Sequence, residues 1–312
     1  MKQAAIVLIN ALLVLSACSP KAGTPTRQTD KLAEILARGT LVIATDADYA
    51  PQSRLLTDST PNAETKCSPV QYTANQMVGF DVAVAEEIAR RLGVEPCFVT
   101  PLWSQLVAGK WGDNWDIHVG SVAITLDRMK NLYFSQPYFA TPTVILVHRE
   151  NTTYNIPEDL SGRRIGVCVG CTFESYLNGS LQLPGQTLEY RIRDAEVVGE
   201  ENEAPAIRDL SEGDGVKLDA VITLLPVATQ AMDQGIPVRI MGKPLWYAYA
   251  SITFDRSGRR DPIRLMQEVS SIISTLHDEG ALKRLSLVYQ GMDLTSEAAK
   301  FDLSLLQQTS QP

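Results

Sequence analysis

The sequence predicts an α/β protein made of two consecutive lobes, each built on a largely parallel sheet. Along most of the chain, short apolar runs typical of strands alternate with segments of helical period, an order that is typical of parallel sheets. The alternation breaks off near residue 150 and starts again at residue 164. With 312 residues, of which 45% are hydrophobic and 21% charged, the chain is long enough to bury the cores of two domains.

The first lobe begins with a helix and a buried strand. The helix is predicted over Asp30–Arg38, and the strand, Leu41–Ala44, opens into a polar loop. After a polar insertion, Gln52–Gln76, apolar residues recur at helical spacing within Val78–Val94, and Gly93 ends that helix. The lobe continues with a strand over Cys97–Thr100, a helix over Trp103–Lys110 and a strand over Trp115–Ile124.

The second lobe follows an extended segment, Tyr138–Arg149, and repeats the architecture of the first lobe without repeating its sequence. Its predicted elements are a strand over Arg164–Val169, a helix over Thr172–Leu177 and a second strand–helix pair that ends in Leu218–Met232. Two further helices, Pro262–Leu276 and Gly280–Tyr289, are predicted near the end of the chain.

The N-terminus has the features of an export signal. Lys2 precedes the apolar run Ala4–Leu15, and the letters LSAC follow at Leu15–Cys18. This pattern resembles a bacterial lipobox, which implies that residues 1–17 are a signal peptide and that Cys18 becomes a diacylated N-terminus. A plain secretory signal with a coincidental cysteine is the alternative. Since residues 18–30 predict a flexible tether, we expect an exported protein that is lipid-anchored to the cell envelope, in the periplasm or on the outer face of the membrane.

The charge and the cysteines limit the partners and cofactors. The net charge is −8, from 36 acidic and 28 basic residues, and because the chain has no basic block, nucleic acid is not an expected partner. A metal or redox role for the CVGC motif is disfavoured, because the chain lacks a second CxxC motif and holds only three histidines. We therefore expect no metal and no cofactor.

The four cysteines that follow Cys18 can pair in an oxidising compartment. Cys168 and Cys171 are close enough in sequence to bridge locally. A bond between them leaves Cys67 with Cys97, although three connectivities remain open at this point.

Several segments together resemble the family 3 extracellular solute-binding proteins of ABC importers, which are best known for polar amino acids. In order, the matching letters are ATDADYAP, GFDVAVAEEIARRLG, WSQLVAGK, GSVAITLDR with FSQPY, DLSGRRIGVCVGCTFESYL, LDAVI and LHDEGALKRL, and they cover nearly all of residues 39–290. The resemblance implies a periplasmic-binding-protein-like fold with two lobes, two hinge crossover strands and a ligand cleft between the lobes. It implies that lobe 1 comprises residues 39–140 and 246–293, that lobe 2 comprises residues 145–240, and that residues 294–312 form a C-terminal tail. The hinge strands would be Tyr138–Leu146 and Ile240–Tyr247.

An anion site is predicted where the strand before Thr125 ends. Thr125 is a suitable N-cap, and a helix that begins there would direct free backbone N–H groups at an anion. Arg128 adds a planar pair of donors suited to a carboxylate. The resemblance implies that Arg128 binds the α-carboxylate of the ligand, helped by Ser121 and by the backbone near Ala123. A solvated Arg128 that pairs with Asp127 is the alternative.

The resemblance implies further ligand contacts from both lobes. Gly170 and Thr172 stand before the second-lobe helix, and Thr172 matches a position that also touches the carboxylate, although it would serve equally as a helix cap. Tyr49 and Trp103 match aromatic positions that flank the ligand side chain, and Asp46 matches an acid that often meets the distal part of basic ligands. The alternatives are core packing for Trp103 and a turn for Asp46.

Two positions depart from the family pattern. Where amino-acid binders usually carry an aspartate for the α-ammonium, this chain has Leu224, and Ala123 replaces a usual Ser or Thr. Either Glu201 or Glu203 takes the role of that aspartate, or the ligand lacks a standard α-ammonium. His118 lies mid-strand among apolar residues and is interpreted as a core residue whose hydrogen bonds are satisfied.

These observations favour a monomeric binding receptor over an enzyme. The receptor would capture a small carboxylate-bearing solute, an amino acid or a related compound, and deliver it to ABC permease subunits. One alternative is a cleft enzyme of the same fold, resembling cyclohexadienyl dehydratases, with Glu174 as the best-placed acid. The other alternative is a ligand sensor for a membrane receptor.

Overall fold

The computed structural model describes residues 30–307 of the chain. The predicted signal peptide, the tether up to residue 29 with its Cys18, and residues 308–312 lie outside the described residues. Within residues 30–307, none of the helices has both the length and the apolar character needed to cross a membrane.

The described chain contains twelve strands and eight α-helices. The strands are β1 (Thr40–Ala44), β2 (Asp48–Tyr49), β3 (Ser53–Leu55), β4 (Tyr72–Thr73), β5 (Met77–Val78), β6 (Glu95–Val99), β7 (Ile117–Ala123), β8 (Leu132–His148), β9 (Arg164–Cys168), β10 (Glu196–Glu200), β11 (Ala220–Leu224) and β12 (Val238–Asp255). The helices are α1 (Lys31–Arg38), α2 (Phe80–Leu92), α3 (Trp103–Val107), α4 (Thr172–Leu177), α5 (Glu203–Ser211), α6 (Leu225–Asp233), α7 (Ile263–Asp278) and α8 (Ala281–Gln290).

The main sheet confirms the α/β fold class. Its nine strands lie in the order β10-β9-β11-β8-β12-β7-β1-β6-β4. Strands β7, β1 and β6 pair in parallel in one half of the sheet, and β10, β9 and β11 pair in parallel in the other half. Strands β8 and β12 lie between the two halves and run antiparallel to each other. Two parallel half-sheets, one from each predicted lobe, are thus joined through two long strands.

The two joining strands contain the predicted hinge segments. They comprise 17 and 18 residues, and most of their length is paired. The register of this pairing shifts at three places. The longest unpaired stretch follows Met241, which pairs with Ile145, because the next paired residue of β12 is Trp246, opposite Thr143. Gly242, at the start of this bulge, has a φ of 66°, which glycine adopts without steric cost.

Helix α2 shows how the sequence positions an element against the sheet. Gly79 precedes it with a φ of 142°, and a Cβ there would lie 2.2 Å from the carbonyl oxygen of Gln52, so only glycine fits. Phe80, Val84 and Ile88 recur at helical spacing and are fully buried. Gly93 then ends the helix in the left-handed conformation, as the sequence predicts.

The structure departs from the predicted elements at several places. The expected helix at Thr125 is a single 3-10 turn, Arg128–Lys130, because β8 begins immediately afterwards at Leu132. Strand β10 and helix α5 were not predicted, although Asn202 accepts a hydrogen bond from the N–H of Ala204 as a regular N-cap. The polar insertion, to which no elements were assigned from sequence, contains β3 and β4.

Two features fix the outer parts of the chain. The disulfides pair Cys67 with Cys97 and Cys168 with Cys171, each with a Cα–Cα distance of 5.4 Å, which selects one of the three open connectivities. Residues 294–307, which the sequence analysis sets apart as a tail, pack back on the long strands, since the ring of Phe301 lies 5.0 Å from that of Tyr249.

Candidate ligand cleft

A cleft lies between the two half-sheets, at or just beyond the carboxyl ends of β1, β7, β9 and β11. Ligands of open α/β folds bind at such strand ends. Its empty volume, open solvent included, is about 570 Å³. The lining residues are Asp46, Tyr49, Trp103, His118, Gly120, Ser121, Ala123, Arg128, Cys168, Cys171, Thr172, Phe173, Glu201, Asn202, Glu203, Leu224 and Ala248. The residues proposed from sequence therefore converge here, and Gly170 contacts the site through its carbonyl group.

The two sides of the cleft are in direct contact, so the structure shows a closed arrangement. The backbone N–H of Trp103 donates to Oε1 of Glu201 at 2.9 Å. The backbone N–H of Leu126 donates to the carbonyl oxygen of Gln182 at 3.0 Å. Both bonds join a residue from the first half of the chain to one from the second half.

Arg128 is the central basic group of the cleft. Its Nη1 donates to the carbonyl oxygen of Ala123 and its Nη2 to that of Gly170, each at 3.0 Å, so the guanidinium spans both sides. Its Cζ lies 5.2 Å from the ring centre of Trp103, a cation–π distance. Burial lowers the pKa of Arg128 to about 10, which leaves it charged at neutral pH.

The guanidinium of Arg128 has no carboxylate partner within residues 30–307. The side chain is only 7% exposed, and the one acid whose charge affects its pKa is Asp127. Asp127 is exposed and forms its ion pair with Lys130 at 2.9 Å. The alternative that Arg128 is a solvated charge paired with Asp127 is therefore wrong. An uncompensated buried cation is costly, and an anionic ligand would remove that cost.

Two of the backbone N–H groups that follow Thr125 already have acceptors within the protein. The N–H of Leu126 donates to Gln182, and the N–H of Arg128 donates to Oγ1 of Thr125 at 3.1 Å. On the opposite side, the N–H of Gly170 donates to Oε2 of Glu174 at 2.6 Å. These three N–H groups are thus used within the protein, whereas the guanidinium of Arg128 is a charged donor that lines the cleft.

Ser121 is held by a buried carboxyl group that the sequence analysis did not identify. The Ser121 hydroxyl donates to Oδ2 of Asp81 at 2.8 Å, and the Tyr138 hydroxyl donates to Oδ1 at 2.6 Å. The Ser121 N–H donates to the Tyr138 hydroxyl at 2.9 Å, and Ser121 has a φ of 56°. Burial raises the pKa of Asp81 to about 7. The signal in the sequence is an aspartate in the first turn of an amphipathic helix whose neighbours are apolar.

Three acids line another part of the cleft. Oε1 of Glu203 accepts a long hydrogen bond, 3.4 Å, from the Tyr49 hydroxyl. Burial raises the pKa of Glu203 to about 8, so that this group is mostly neutral at pH 7. Burial also raises the pKa of Asp46, with further contributions from the charges of Asp48 and Glu201. No basic side chain of the described chain offsets either shift. We call Asp46, Glu201 and Glu203 the acidic group.

The wall formed by the second half of the chain is apolar at the position of the usual ammonium-binding acid. Leu224 is the N-cap residue of α6, and both Leu224 and Phe173 line the cleft. Thr172 lies beside them at the start of α4. Leu224 therefore offers no counter-charge to a cation, whereas the acidic group lines the same cleft.

His118 is buried in β7, but the prediction that its hydrogen bonds are satisfied in the core is wrong. Its ring lines the cleft, and neither ring nitrogen has a hydrogen-bond partner among residues 30–307. Its ring centre lies 6.0 Å from that of Trp103, with the planes at 71°. Burial, and then the charge of Arg128, lower the pKa of His118 to about 3, so the imidazole is neutral.

Comparison with known proteins gives one family. The family model described as "Bacterial extracellular solute-binding proteins, family 3" matches residues 62–292. Among curated proteins, the chain is 25% identical over 231 residues to "Probable amino-acid-binding protein YxeM" of Bacillus subtilis, covering 73% of this chain and 82% of that protein. It is 24% identical to "L-cystine-binding protein TcyJ" of Escherichia coli, covering 93% of this chain and 96% of that protein.

Solved structures share the fold. A mutant of ArgBP from T. maritima has a TM-score of 0.67 at 24% identity, covering 83% of this chain and 98% of that chain. The ancestral amino acid-binding protein AncCDT-1, described as a precursor of cyclohexadienyl dehydratase, has a TM-score of 0.67 at 25% identity, covering 84% of this chain and all of that one.

Proposed function

The chain belongs to the bacterial extracellular solute-binding proteins of family 3, and from this premise we propose that its cleft captures a small carboxylate-bearing solute, an amino acid or a related compound, for an ABC importer. The observation that carries the proposal is the buried guanidinium of Arg128, which has no acidic partner in residues 30–307. A carboxylate in the cleft supplies the missing counter-charge.

The acidic group supports a solute that also carries a positive charge. Asp46 and Glu203 come from different halves of the chain, and both have pKa values raised mainly by burial. A ligand ammonium or guanidinium next to them would stabilise their ionised forms. The relatives named for cystine and arginine bind solutes that have both a carboxylate and a cationic group. In this proposal Glu203, instead of a residue at position 224, faces the cation.

Binding and lobe closure are one event in this proposal. Arg128 bonds to Ala123 on its own side and to Gly170 on the other side, so the group that meets the carboxylate also contacts both lobes. The lobes are residues 39–140 with 246–293, and residues 145–240. A solute that binds the closed form better than the open form shifts the population towards closure. The closed complex is what permease subunits would recognise.

The setting of the protein follows from the sequence. We propose that Cys18 carries a lipid anchor, that the following residues form a tether, and that the domain works as a monomer outside the cytoplasmic membrane. Catalysis is not part of the proposal. Glu174, the acid weighed for an enzyme, already accepts the N–H of Gly170.

The test combines ligand identification with a matched pair of variants. Native mass spectrometry of the purified protein identifies any co-purified solute, and calorimetric titration then measures its dissociation constant; L-arginine and L-cystine are tested in any case. Arg128→Ala removes the charged donors, each worth about 1.5–3 kcal/mol, so affinity falls at least ~10-fold and up to ~1000-fold. Lys130→Ala removes an exposed charge two residues away and leaves affinity within about twofold. Equal dissociation constants for Arg128→Ala and the native protein would refute the proposal.

A further inference from the structure

His118 differs from the other two histidines of the chain in its hydrogen bonding. Nε2 of His277 lies 2.9 Å from the carbonyl oxygen of Pro137, and Nδ1 of His148 accepts the N–H of Glu150 at 3.3 Å. His118 is 1% exposed, and within the part of the chain that the structure describes neither of its ring nitrogens has a hydrogen-bond partner. Leaving a buried polar atom unpaired costs free energy, so such an arrangement calls for an explanation.

The location of His118 gives that explanation. Among the buried side-chain atoms without a partner in the described part of the chain, those on cleft-lining residues belong to His118 and Trp103. The Trp103 indole N–H is the second of these groups, and its ring contacts both His118 and Arg128. Unpaired donors and acceptors therefore collect on one wall of the cleft, beside the proposed carboxylate site.

Gly120 makes room for this imidazole. It lies two residues from His118 on the same strand and also lines the cleft. A Cβ on Gly120 would lie 2.3 Å from Nε2 of His118, which no real contact tolerates. The chain thus combines a glycine and a histidine so that the ring can lie against the cleft.

We propose that His118 is a specificity-determining ligand contact, whose neutral imidazole hydrogen-bonds an uncharged polar group of the solute, a hydroxyl or a carboxamide, next to the carboxylate site at Arg128. A neutral imidazole has one N–H donor and one bare nitrogen acceptor, which matches groups that both donate and accept. A second cation beside Arg128 is unfavourable, and the low pKa of His118 keeps the ring uncharged. The inference rests on the proposed function.

The test uses pairs of amino acids with similar shapes but different polarity. L-threonine is compared with L-valine and L-asparagine with L-leucine, since each pair exchanges polar atoms for methyl groups. Calorimetric dissociation constants are measured for native protein, His118→Phe and Gly120→Ala. We expect the native protein to favour the polar member of at least one pair by about tenfold or more, and both variants to lose that preference.

Stability separates a ligand contact from a structural role. His118→Phe keeps a ring against Trp103 and removes two unpaired nitrogens, so the melting temperature of ligand-free protein stays equal or rises. A preference that persists in a folded His118→Phe variant, or no preference in native protein, overturns the inference. If Arg128→Ala still abolishes binding in the latter case, the proposed function stands alone. If none of the four amino acids binds, the inference fails, and the titrations with L-arginine, L-cystine and any co-purified solute decide the proposed function.

Discussion

Burial shifts the pKa values of the basic and the acidic residues of the cleft in opposite directions. Arg128 and Glu203 are both buried, and for each the neutral form is favoured by loss of water. The pKa of Arg128 falls to about 10 and so stays above 7. The pKa of Glu203 rises from below 7 to about 8. The same physical effect therefore leaves the guanidinium charged and makes the carboxyl group mostly neutral at pH 7.

Because of this difference, the binding of an anion and the binding of a cation should depend on pH in different ways. Affinity for the carboxylate of a solute should hardly change between pH 6 and pH 9, because Arg128 remains charged. Affinity for a cation next to Glu203 should change, because Glu203 first has to lose a proton. Two predictions test the effect of burial on the acids, and a third concerns the disulfide beside Arg128.

The largest expected effect concerns the stability of the fold and Asp81. Its pKa rises from 3.8 to about 7 on folding, so the folded state holds the proton more tightly than the unfolded chain. The stabilisation is complete below pH 4 and is lost as pH rises towards 7, by roughly 4 kcal/mol in total. In Asp81→Asn that loss disappears. Urea unfolding from pH 4 to pH 8 gives the free energy of unfolding of native protein and of the variant at each pH. If the two free energies change with pH in parallel, the effect of burial on Asp81 is contradicted.

The second prediction concerns Glu203 and a cationic solute. Below pH 8, affinity of native protein for the tightest-binding cationic amino acid should rise by up to about tenfold per pH unit, because binding requires the ionised carboxyl group. In Glu203→Gln, affinity should hardly depend on pH. The loss of affinity relative to native protein should therefore be largest at pH 9. Titrations from pH 6 to pH 9 provide the measurement. A flat profile for native protein would mean that Glu203 does not face the cation.

The smallest effect concerns the disulfide beside Arg128. Cys168 and Cys171 line the cleft and enclose Gly170, whose carbonyl oxygen accepts from Arg128. Replacing both by Ala should weaken solute binding only a few-fold, about 2–5 times, because the bond restrains a short loop. The matched control, Cys67→Ala with Cys97→Ala, lies outside the cleft lining and closes a longer loop. It should lower stability by about 3–4 kcal/mol and leave affinity unchanged; an equal loss of affinity in both pairs would show that the cleft disulfide has no special role.

Most helices and strands, and most of the residues proposed for the cleft, could be predicted from the sequence. Helix α2 carries both periodicity and a terminal glycine, so its bounds could be read within two residues. Arg128 follows a strand end and was expected at the ligand site, and the structure places it in the cleft. Local patterns of this kind depend on few neighbours in sequence, and sequence reasoning is strongest there.

The remaining features depend on distant parts of the chain. Strand β7 is buried on both faces, so alternation could not show that His118 lies on the cleft side. Asp81 looks like an ordinary acid of a first helical turn, and its partners Ser121 and Tyr138 are 40 and 57 positions away. The prediction of a helix at Thr125 was wrong, because β8, which pairs with β12, begins so soon after Thr125 that only a 3-10 turn fits between them.

The place of β12 in the sheet has a consequence for the order in which the protein folds. Strand β7 pairs with β1 on one side and with β12 on the other. While the chain emerges from N- to C-terminus, β7 is complete at residue 123 but its second neighbour ends only at Asp255. During that interval β7 has an unpaired edge, which invites contact with other chains. The half-sheet that contains β7 is therefore complete only after β12 has been synthesised. Until then, chaperones that cover the edge of β7 would protect the chain from aggregation.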